Sequence, residues 1–524
     1  IKFYQRHHVT PCTLDQLETA DCTLIIGEDV VNTAPRLALG LRQMVRNKGL
    51  DKAAAIGIAP WQDGPVRNIT QESRSPLFIV AVTESGLADI AVFQAKLLLI
   101  QQEQLLRQIH EYIQTQKIDQ SVEHATEAKE IAHQLMHAKR PLIISGSNHS
   151  NGNILQLIQD IYILLCKKEH VSPLIYYVLP GANSQALAIM TKPGNGLDQF
   201  VEQISNSPPN MLLILEADLD WLLSGIQTQN IYHNVFEHIE HVVVLDHLMT
   251  PTVQMADLVL PSANSAEQKS SWLNSQGALQ FSQANMSTSD NRLPSWYWCD
   301  ETITQYEQNQ ILKTCYSDLL HWCGQRFKLL SAITDCQDQH DCEFKVARQS
   351  FRASGRTAIN AHIDVKEYAP DDDALSNMKF SMEGVAPFRQ KNTDIKTQSG
   401  AYLWQPKWNS GQGINKGLSN QCRNNRSCRI FAEHTNANHS AQENKAVKLN
   451  DILAEPMTII IQDISITLLG QQHLFSNNEL SHYCPSLAGL MMSPMMVFSH
   501  KTAQLLQWHQ GEVCTIELMA TQER

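Results

Sequence analysis

Short apolar runs alternate with helix-like stretches through residues 20–262. The apolar runs are rich in branched aliphatic residues, which suits strands buried on both faces of a sheet. They fall at residues 21–26, 77–82, 141–144, 174–179, 211–215, 242–245 and 258–260. Apolar residues recur at helical spacing in 35–45, 86–114, 130–139 and 154–165. This alternation predicts an α/β fold built on doubly wound, mostly parallel sheets.

Local signals set the bounds of the first predicted helix. Asn32 or Thr33 can cap its amino terminus, and Pro35 suits its first turn. Gly49 is expected to end it, because glycine is common just beyond the last helical residue.

Changes in composition divide the chain into five predicted parts. These are a first α/β unit (1–125), a second α/β unit (126–300), a helical covering and connection (301–380), an irregular polar segment (381–454) and a small β-rich, barrel-like domain (455–524). The polar stretch 120–127 suggests the first boundary, and 288–300 is interpreted as a surface connection. Residues 381–444 are rich in Asn, Gln, Ser and Gly, so we expect them to wrap over another surface or to be partly mobile, rather than to form a core.

Polar side chains gather where the predicted strands end. The carboxyl ends of parallel strands meet at one edge of a sheet, where open α/β folds bind their ligands. The candidates for lining a crevice there are Glu28, Asp29, Ser147, Asn183, Asp218 and Asp246, with Asn274 and Gly277 from the loop after residue 261. We therefore expect a polar crevice at this edge.

Charge and cysteine usage narrow the possible partners. The net charge is −12, which argues against nucleic acid as a partner because phosphate binding needs a basic face. The longest apolar runs fall far short of the ~20 residues of a spanning helix, so no membrane span is predicted. The 12 cysteines include no C-x2-C pair and are interpreted as mostly buried, reduced thiols of the cytosol. The chain begins at Ile1, so we expect a fragment of a longer protein.

Other possible ligand sites have simpler explanations. The sequence contains neither G-x-G-x-x-G nor a P-loop motif. His133 and His137 have a spacing that can chelate a metal, but without a third ligand they are interpreted as a solvated helix face. Arg423, Arg426 and Arg429 form a basic cluster, the best candidate for docking an acidic neighbour.

Residues 241–283 resemble the molybdopterin oxidoreductase superfamily. The matching positions are Asp246, Thr252, Ala256, Asp257, Leu260, Pro261, Glu267, Asn274, Gly277 and Gln280. The chain departs from the pattern at Ser270-Ser271, at Gln276 and at Ala278, where the family has Gly-Thr, glutamate and arginine. Active members approach a pterin dinucleotide with this loop, so the departures predict that the crevice is vestigial and holds no cofactor.

Further motifs resemble one branch, the family of the large iron–sulfur subunit (the G subunit) of bacterial NADH:quinone oxidoreductase, respiratory complex I. The most particular are Ser354-Gly355-Arg356-Thr357-Ala358, Phe380-Ser381-Met382-Glu383-Gly384 and Trp404-x-Pro406-x-Trp408-Asn409-Ser410, with Asn415-Lys416. The chain also matches this family at 20–30 and at 140–146. The resemblance covers the portion that follows the cluster-binding domains.

The resemblance implies a scaffold without a catalytic residue or metal ligand of its own. The full subunit is expected to carry [4Fe-4S] and [2Fe-2S] clusters on cysteine motifs that this chain lacks. Its implied partners are the flavin and iron–sulfur subunits of the peripheral arm, at the cytoplasmic face of the bacterial inner membrane. Two alternatives stay open: an active molybdopterin-dependent oxidoreductase of formate dehydrogenase type, with a molybdopterin guanine dinucleotide, and a dinucleotide-binding module outside any respiratory assembly.

Overall fold

The computed structural model describes most of residues 3–333 and shorter stretches beyond them. The gaps before residue 333 are 5–8, 61, 148–150, 192–196, 224–235, 237–238, 283, 285, 287–291, 308–314 and 332. The described stretches after it are 428–430, 457–461, 464–468, 473–475, 479–491, 497–498 and 502–504. The described residues fall into two compact units. The first takes them from 1–191, 269–283 and 315–470, and the second from 192–268, 284–314 and 471–524.

A five-stranded parallel sheet forms the centre of the first unit. Its strands are β1 (Cys22–Ile26), β2 (Leu77–Ala81), β3 (Phe93–Lys96), β4 (Pro141–Gly146) and β5 (Leu174–Val178). They lie in the order β3-β2-β1-β4-β5, and all neighbours are parallel. The sheet therefore continues across the predicted boundary between residues 125 and 126. The predicted parallel α/β class is confirmed.

Alternate residues of these strands face two separate cores, as strand geometry requires. On one face Leu24, Phe78 and Ile143 pack with helical residues such as Ile109 and Ile158. On the other face Ile25, Ile79 and Ile144 pack with residues such as Leu41. Covering helices on both faces explain why β1, β2 and β4 are apolar at almost every position.

The helices of the first unit connect and cover these strands. They are α1 (Leu14–Glu18), α2 (Val30–Thr33), α3 (Pro35–Met44), α4 (Asn47–Ala55), α5 (Asp63–Thr70), α6 (Leu99–Thr115), α7 (Ala125–His137), α8 (Gly152–Cys166) and α9 (Ser184–Met190). A capping box begins α1, since the Thr13 hydroxyl accepts from the N–H of Gln16 and the Gln16 side chain accepts from the N–H of Thr13.

The second unit contains its own three-stranded parallel sheet, in the order β6-β7-β8. The strands are β6 (Met211–Leu215), β7 (His241–Asp246) and β8 (Leu258–Pro261). Its described helices are α10 (Leu197–Asn206), α11 (Leu219–Leu223), α12 (Pro251–Gln254) and α13 (Ser295–Glu307). Val242, Val244 and Ile214 form the centre of its core.

An antiparallel hairpin replaces the loop that we predicted after residue 261. Its strands are β9 (Ser270–Leu273) and β10 (Ala278–Ser282), with the pairs Leu273–Leu279 and Ser271–Phe281. A short strand β11 (Cys428–Arg429) pairs with β10. The sequence did not predict this hairpin because β9 is polar. Its strands pair through backbone hydrogen bonds and contain no continuous apolar run.

Several predicted element bounds were wrong. Residues 93–96 form strand β3 rather than part of a helix over 86–114, and Gly49 lies inside α4 instead of ending a helix. Asp29 caps the first helical turn in place of Asn32 or Thr33. The supposed connection at 288–300 contains the start of helix α13.

Later parts of the chain are described only in places. Helix α14 (Tyr316–Arg326) and a 3₁₀ turn (Lys328–Leu330) precede residue 333. Only 428–430 of the predicted irregular segment is described, so most of that prediction lies outside the described residues, as do Arg423 and Arg426. Strands β12 (Met457–Ile461) and β13 (Ile464–Leu468) form an antiparallel pair. A short helix α15 (Glu479–His482) follows, and most of the predicted barrel-like domain lies outside the described residues.

Candidate functional site

Glu28 and Asp29 lie at the topological switch point of the first sheet, where the strand order reverses between β1 and β4. Asp29 caps α2, because its carboxylate accepts from the N–H of Val31 at 3.2 Å and from Asn32 Nδ2 at 2.7 Å. Glu28 is 1% exposed, and its Oε1 accepts from the hydroxyl of Thr33 at 2.7 Å. Both carboxylates are therefore engaged by the residues that follow them.

The end of β4 lies against the Glu28 side chain. A Cβ placed on Gly146 would lie 2.6 Å from Glu28 Cδ and 3.0 Å from the carbonyl oxygen of Val178. Such contacts are too short, so glycine is needed where β4 passes the buried carboxylate. Ser147 follows directly and is partly buried. The structure thus brings Glu28 and the β4 exit together, but the Glu28 side chain takes the space beside β4.

Asn183 joins helix α9 to the β9–β10 hairpin. Its Nδ2 donates to the carbonyl oxygen of Ser271 at 3.1 Å, and its Oδ1 accepts from the N–H of Leu273 at 2.7 Å. Gln185 adds a third bond, from its Nε2 to the carbonyl oxygen of Ser275 at 3.1 Å. Because Asn183 uses both ends of its amide on β9, its role here is to hold a strand.

Asn274 and Gly277 form the turn of the same hairpin. The Asn274 Oδ1 accepts from the N–H groups of Gln276 and Ala278, each at 3.0 Å. Gly277 has a φ of 71°, a left-handed conformation that glycine adopts readily. Its carbonyl oxygen accepts from the N–H of Ile430 at 3.0 Å. The two motif residues that match the superfamily loop therefore shape this turn.

Asp218 and Asp246 follow β6 and β7 in the second unit, and both are buried. Asp218 Oδ1 accepts from the Thr252 hydroxyl at 2.6 Å, and Thr252 Oγ1 accepts from the N–H of Leu219 at 2.8 Å. Asp246 Oδ1 accepts from the N–H of His247 at 2.6 Å and from the N–H of Leu248 at 3.0 Å. Positions 218, 246 and 252 thus belong to buried polar contacts at the exits of β6 and β7.

Helix α15 adds a carboxyl group that sequence reasoning missed. Burial raises the pKa of Glu479, and the carboxylates of Asp246 and Asp218 raise it further. The next turn continues the contact, since the ring centroids of His482 and Trp221 lie 4.6 Å apart. No sequence signal could pair Glu479 with Asp218, because the residues are far apart in the chain and no motif includes Glu479. The exits of β6 and β7 thus form an acidic cluster of Asp218, Asp246 and Glu479.

Two aspartates of the matched motifs lie outside the candidate crevice and also accept hydrogen bonds from the backbone. Asp21 accepts from the N–H of Lys139 at 2.7 Å and of Arg140 at 2.8 Å, which fixes the start of β1 to the start of β4. Asp257 accepts from the N–H of Val242 at 2.7 Å. These bonds explain the motif positions structurally, without a ligand.

The described residues fit a pterin dinucleotide poorly at two places. The pyrophosphate of such a group is negatively charged, and Glu479 adds a carboxyl group beside Asp218 and Asp246 at the exits of β6 and β7, where like charges repel. On the hairpin, the family's arginine is replaced by Ala278, which is buried as the first residue of β10. A cation that could neutralise phosphate is therefore missing at that motif position.

The described residues also contain no cluster of three or more His, Cys, Asp or Glu side chains arranged to hold a metal ion. The rings of His133 and His137 stack with centroids 4.0 Å apart, and His137 Nδ1 lies 2.8 Å from the carbonyl oxygen of His133. Two buried cysteines, Cys12 and Cys22, are free thiols, as are the more accessible Cys166, Cys299, Cys315, Cys323 and Cys484. No described helix combines the length and the apolar content required to cross a membrane.

One region of the chain matches a known family model. Residues 80–297 match the family model described as Molybdopterin oxidoreductase. That region covers the last two residues of β2 and the strands from β3 to β10, so it includes most of both parallel sheets and the hairpin.

The chain is more specifically similar to proteins named as the G subunit of NADH-quinone oxidoreductase. It is a homologue of these proteins. The Shewanella oneidensis protein is 27% identical over 501 residues, which cover 93% of this chain and 53% of that protein. The Escherichia coli (strain K12) protein is 28% identical over 515 residues, 95% of this chain and 54% of that protein. The chain thus spans about half the length of these curated relatives. The predicted resemblance to the G subunit is confirmed.

Two solved structures align with part of the chain. A formyltransferase/hydrolase complex from Methylorubrum extorquens, in complex with methylofuran, has a TM-score of 0.36 and 12% identity, covering 55% of this chain and 76% of its own. Acetylene hydratase from Pelobacter acetylenicus has a TM-score of 0.37 and 13% identity, covering 58% of this chain and 49% of its own.

Proposed function

We propose that this chain is the scaffold region of the large iron–sulfur subunit of a respiratory NADH:quinone oxidoreductase. The observation that carries the proposal is the similarity to the G subunit of that enzyme over 95% of the chain. The whole assembly would pass electrons from NADH through iron–sulfur clusters to quinone. This region would support that path without a reaction centre of its own.

The hydrogen bonds at the candidate crevice support a structural role. Asp29 caps a helix, Asn183 holds β9, and Asn274 shapes the hairpin turn. Asp218 and Asp246 accept from a hydroxyl and from backbone N–H groups. An active ligand site keeps some polar groups directed at its ligand, whereas each of these side chains has at least one atom hydrogen-bonded to its own chain.

The proposed partners are the flavin and iron–sulfur subunits of the peripheral arm, at the cytoplasmic face of the inner membrane. The cluster-binding part of the same subunit would supply the [4Fe-4S] and [2Fe-2S] centres. Exposed apolar side chains on β6 support the presence of protein partners, because Met211, Leu213 and Leu215 are each about half exposed along one face of the strand.

Affinity purification through a tag on this chain tests the proposal. We expect the flavin subunit and the other iron–sulfur subunits to co-purify from detergent-treated membranes, with NADH:quinone activity in the eluate. A parallel purification from an untagged strain controls for adventitious binding. Recovery of the chain without these subunits, or together with a formate-oxidising activity, would contradict the proposal.

A further inference from the structure

A cavity of about 470 Å³ lies beside the amino-terminal ends of β2 and β3. Helix α4 forms one wall with Lys48 and Lys52, and the turn 69–74 and residues 90–92 form the others. The candidate crevice residues of this sheet follow the opposite, carboxyl ends of the strands. The cavity is therefore separate from the crevice. Its volume falls within the ~300–1,000 Å³ range of small-molecule sites.

Three cations and one carboxylate line the cavity: Lys48, Lys52 and Arg74 against Glu72. Lys48 and Lys52 are one helical turn apart, so both lie on the same side of α4. Lys52 Nζ donates to the hydroxyl of Ser73. Neither lysine forms an ion pair within the described part of the chain. The lining is thus cationic in a chain whose net charge is −12.

The backbone beside the cavity is held closely. A Cβ on Gly49 would lie 2.6 Å from Thr70 Cβ, so glycine permits the close approach of α4 and the turn. Ser75 fixes the turn from two sides, because its N–H donates to the carbonyl oxygen of Val45 at 2.8 Å and its Oγ accepts from the N–H of Lys48 at 3.0 Å. Gln71 has a φ of 41°, a rare conformation for a residue other than glycine. The backbone that carries Lys48 and Lys52 is therefore held in place, while both lysine side chains are exposed.

We propose that this cavity binds a small organic phosphate. Lysine ammonium groups favour phosphate as point charges, and the nearby Ser73 hydroxyl can donate to a phosphate oxygen. Ile69 and Val92 provide an apolar wall, and Val92 is 61% exposed. A phosphate ester with an apolar group would satisfy both the cationic and the apolar lining, and would cover the exposed Val92 side chain.

Calorimetric titration of the purified protein with phenyl phosphate tests the assignment. The double variant Lys48→Gln/Lys52→Gln should weaken binding by about tenfold or more, since it removes two of the three cations that line the cavity. Lys129→Gln changes an exposed lysine of α7 and should leave the affinity unchanged. Equal affinity in the double variant and the native protein would overturn the assignment. So would a lack of binding to the native protein at millimolar phenyl phosphate.

Two further measurements separate the ligand's features. Inorganic phosphate should bind more weakly than phenyl phosphate, because it leaves the apolar wall uncovered. Benzoate should also bind more weakly, because it carries one charge. Equal affinity for benzoate and phenyl phosphate would contradict the preference for phosphate.

Gly49→Ala should weaken binding by forcing α4 and Thr70 apart, with circular dichroism to establish that the variant is folded.

Discussion

At the scale of single residues, the polar side chains at strand exits serve mainly to hold the backbone. Glu28 is the clearest case, because its buried carboxyl group takes up the space next to Gly146 and accepts from Thr33. Position 146 cannot gain even one methyl group without moving Glu28 or Val178. A residue that looked like a ligand contact in the sequence is thus part of the packing between β1 and β4.

Gly146→Ala should lower the free energy of unfolding by about 2 kcal/mol, since an added methyl group in a filled space forces neighbours to shift. Urea unfolding followed by circular dichroism measures the change. Gly64→Ala is the matched control, because a Cβ there meets no atom within 4 Å, and it should be close to neutral. Equal stability of the two variants would show that Glu28 is not packed against β4.

Cysteine reactivity provides a second check at this scale. Burial raises the pKa of the Cys22 thiol, and the nearby Asp21 raises it further. Burial also raises the pKa of Cys166 to about 11. Cys315 is exposed and donates to Asp318 at 2.9 Å. Thiolate is the reactive form, so iodoacetamide at pH 8 should modify Cys315 fastest and Cys22 slowest of these three cysteines in the folded protein. Peptide mass spectrometry measures each rate, and rapid modification of Cys22 would contradict its buried position.

At the scale of elements, the sequence predicted the strands that are buried on both faces. β1, β2 and β4 stand out because helices cover both sides of the first sheet, so their residues are apolar almost without interruption. β6 and β8 were also predicted from their apolar residues, although most of these residues are not buried. Strands that contain polar residues lack this signal. β3 (FQAK) was absorbed into a predicted helix, and β9 (SSWL) into a predicted loop. Their hydrogen bonds come from partners that a local pattern does not specify.

For the candidate site, the sequence predicted the positions of the residues but not their contacts. Residues at strand exits were placed correctly at the ends of β1, β6 and β7, because parallel strands have one functional edge. Their contacts were not predictable, because those contacts join distant parts of the chain. Asn183 reaches Leu273, and Glu479 approaches Asp218. Neither pairing leaves a spacing or a motif in the sequence.

Asn183→Ala should loosen the β9–β10 hairpin, because it leaves the N–H of Leu273 without its acceptor and the carbonyl oxygen of Ser271 without its donor. The expected loss of stability is about 1–3 kcal/mol, with faster hydrogen exchange in 270–282. Asn68→Ala, at an exposed position of α5, is the control and should change neither quantity. Unchanged exchange in the hairpin of Asn183→Ala would refute the proposed clamp.

The attachment of α15 should depend on pH through Glu479. The pKa of Glu479 is raised in the folded chain. The contribution of this group to stability is therefore fully present below its pKa in the unfolded chain, and it is lost as the pH rises through its pKa in the folded chain. Glu479→Gln removes this loss. At pH 7 the variant should exchange amide hydrogens in 479–491 more slowly than the native protein does. Glu169→Gln, at an exposed site, should behave like the native protein, and identical exchange in Glu479→Gln would disprove the coupling.

At the scale of the whole molecule, similarity to the G subunit and the unsuited crevice support the same interpretation. Residues 80–297, which include the second sheet, the hairpin and part of the first sheet, match the molybdopterin oxidoreductase family model. The acidic cluster in the second unit and Ala278 in the hairpin both oppose an anionic dinucleotide. We therefore propose that the fold supplies the surfaces of a scaffold and that chemistry in the proposed assembly takes place elsewhere.

Molybdenum content tests the scaffold proposal most directly. The assembly would be purified through a tag on this chain from molybdate-supplied cells, and molybdenum per chain would be measured by mass spectrometry. The scaffold role predicts a molybdenum content far below one atom per chain, together with iron from co-purifying subunits. One molybdenum atom per chain, with a pterin dinucleotide released on denaturation, would contradict it.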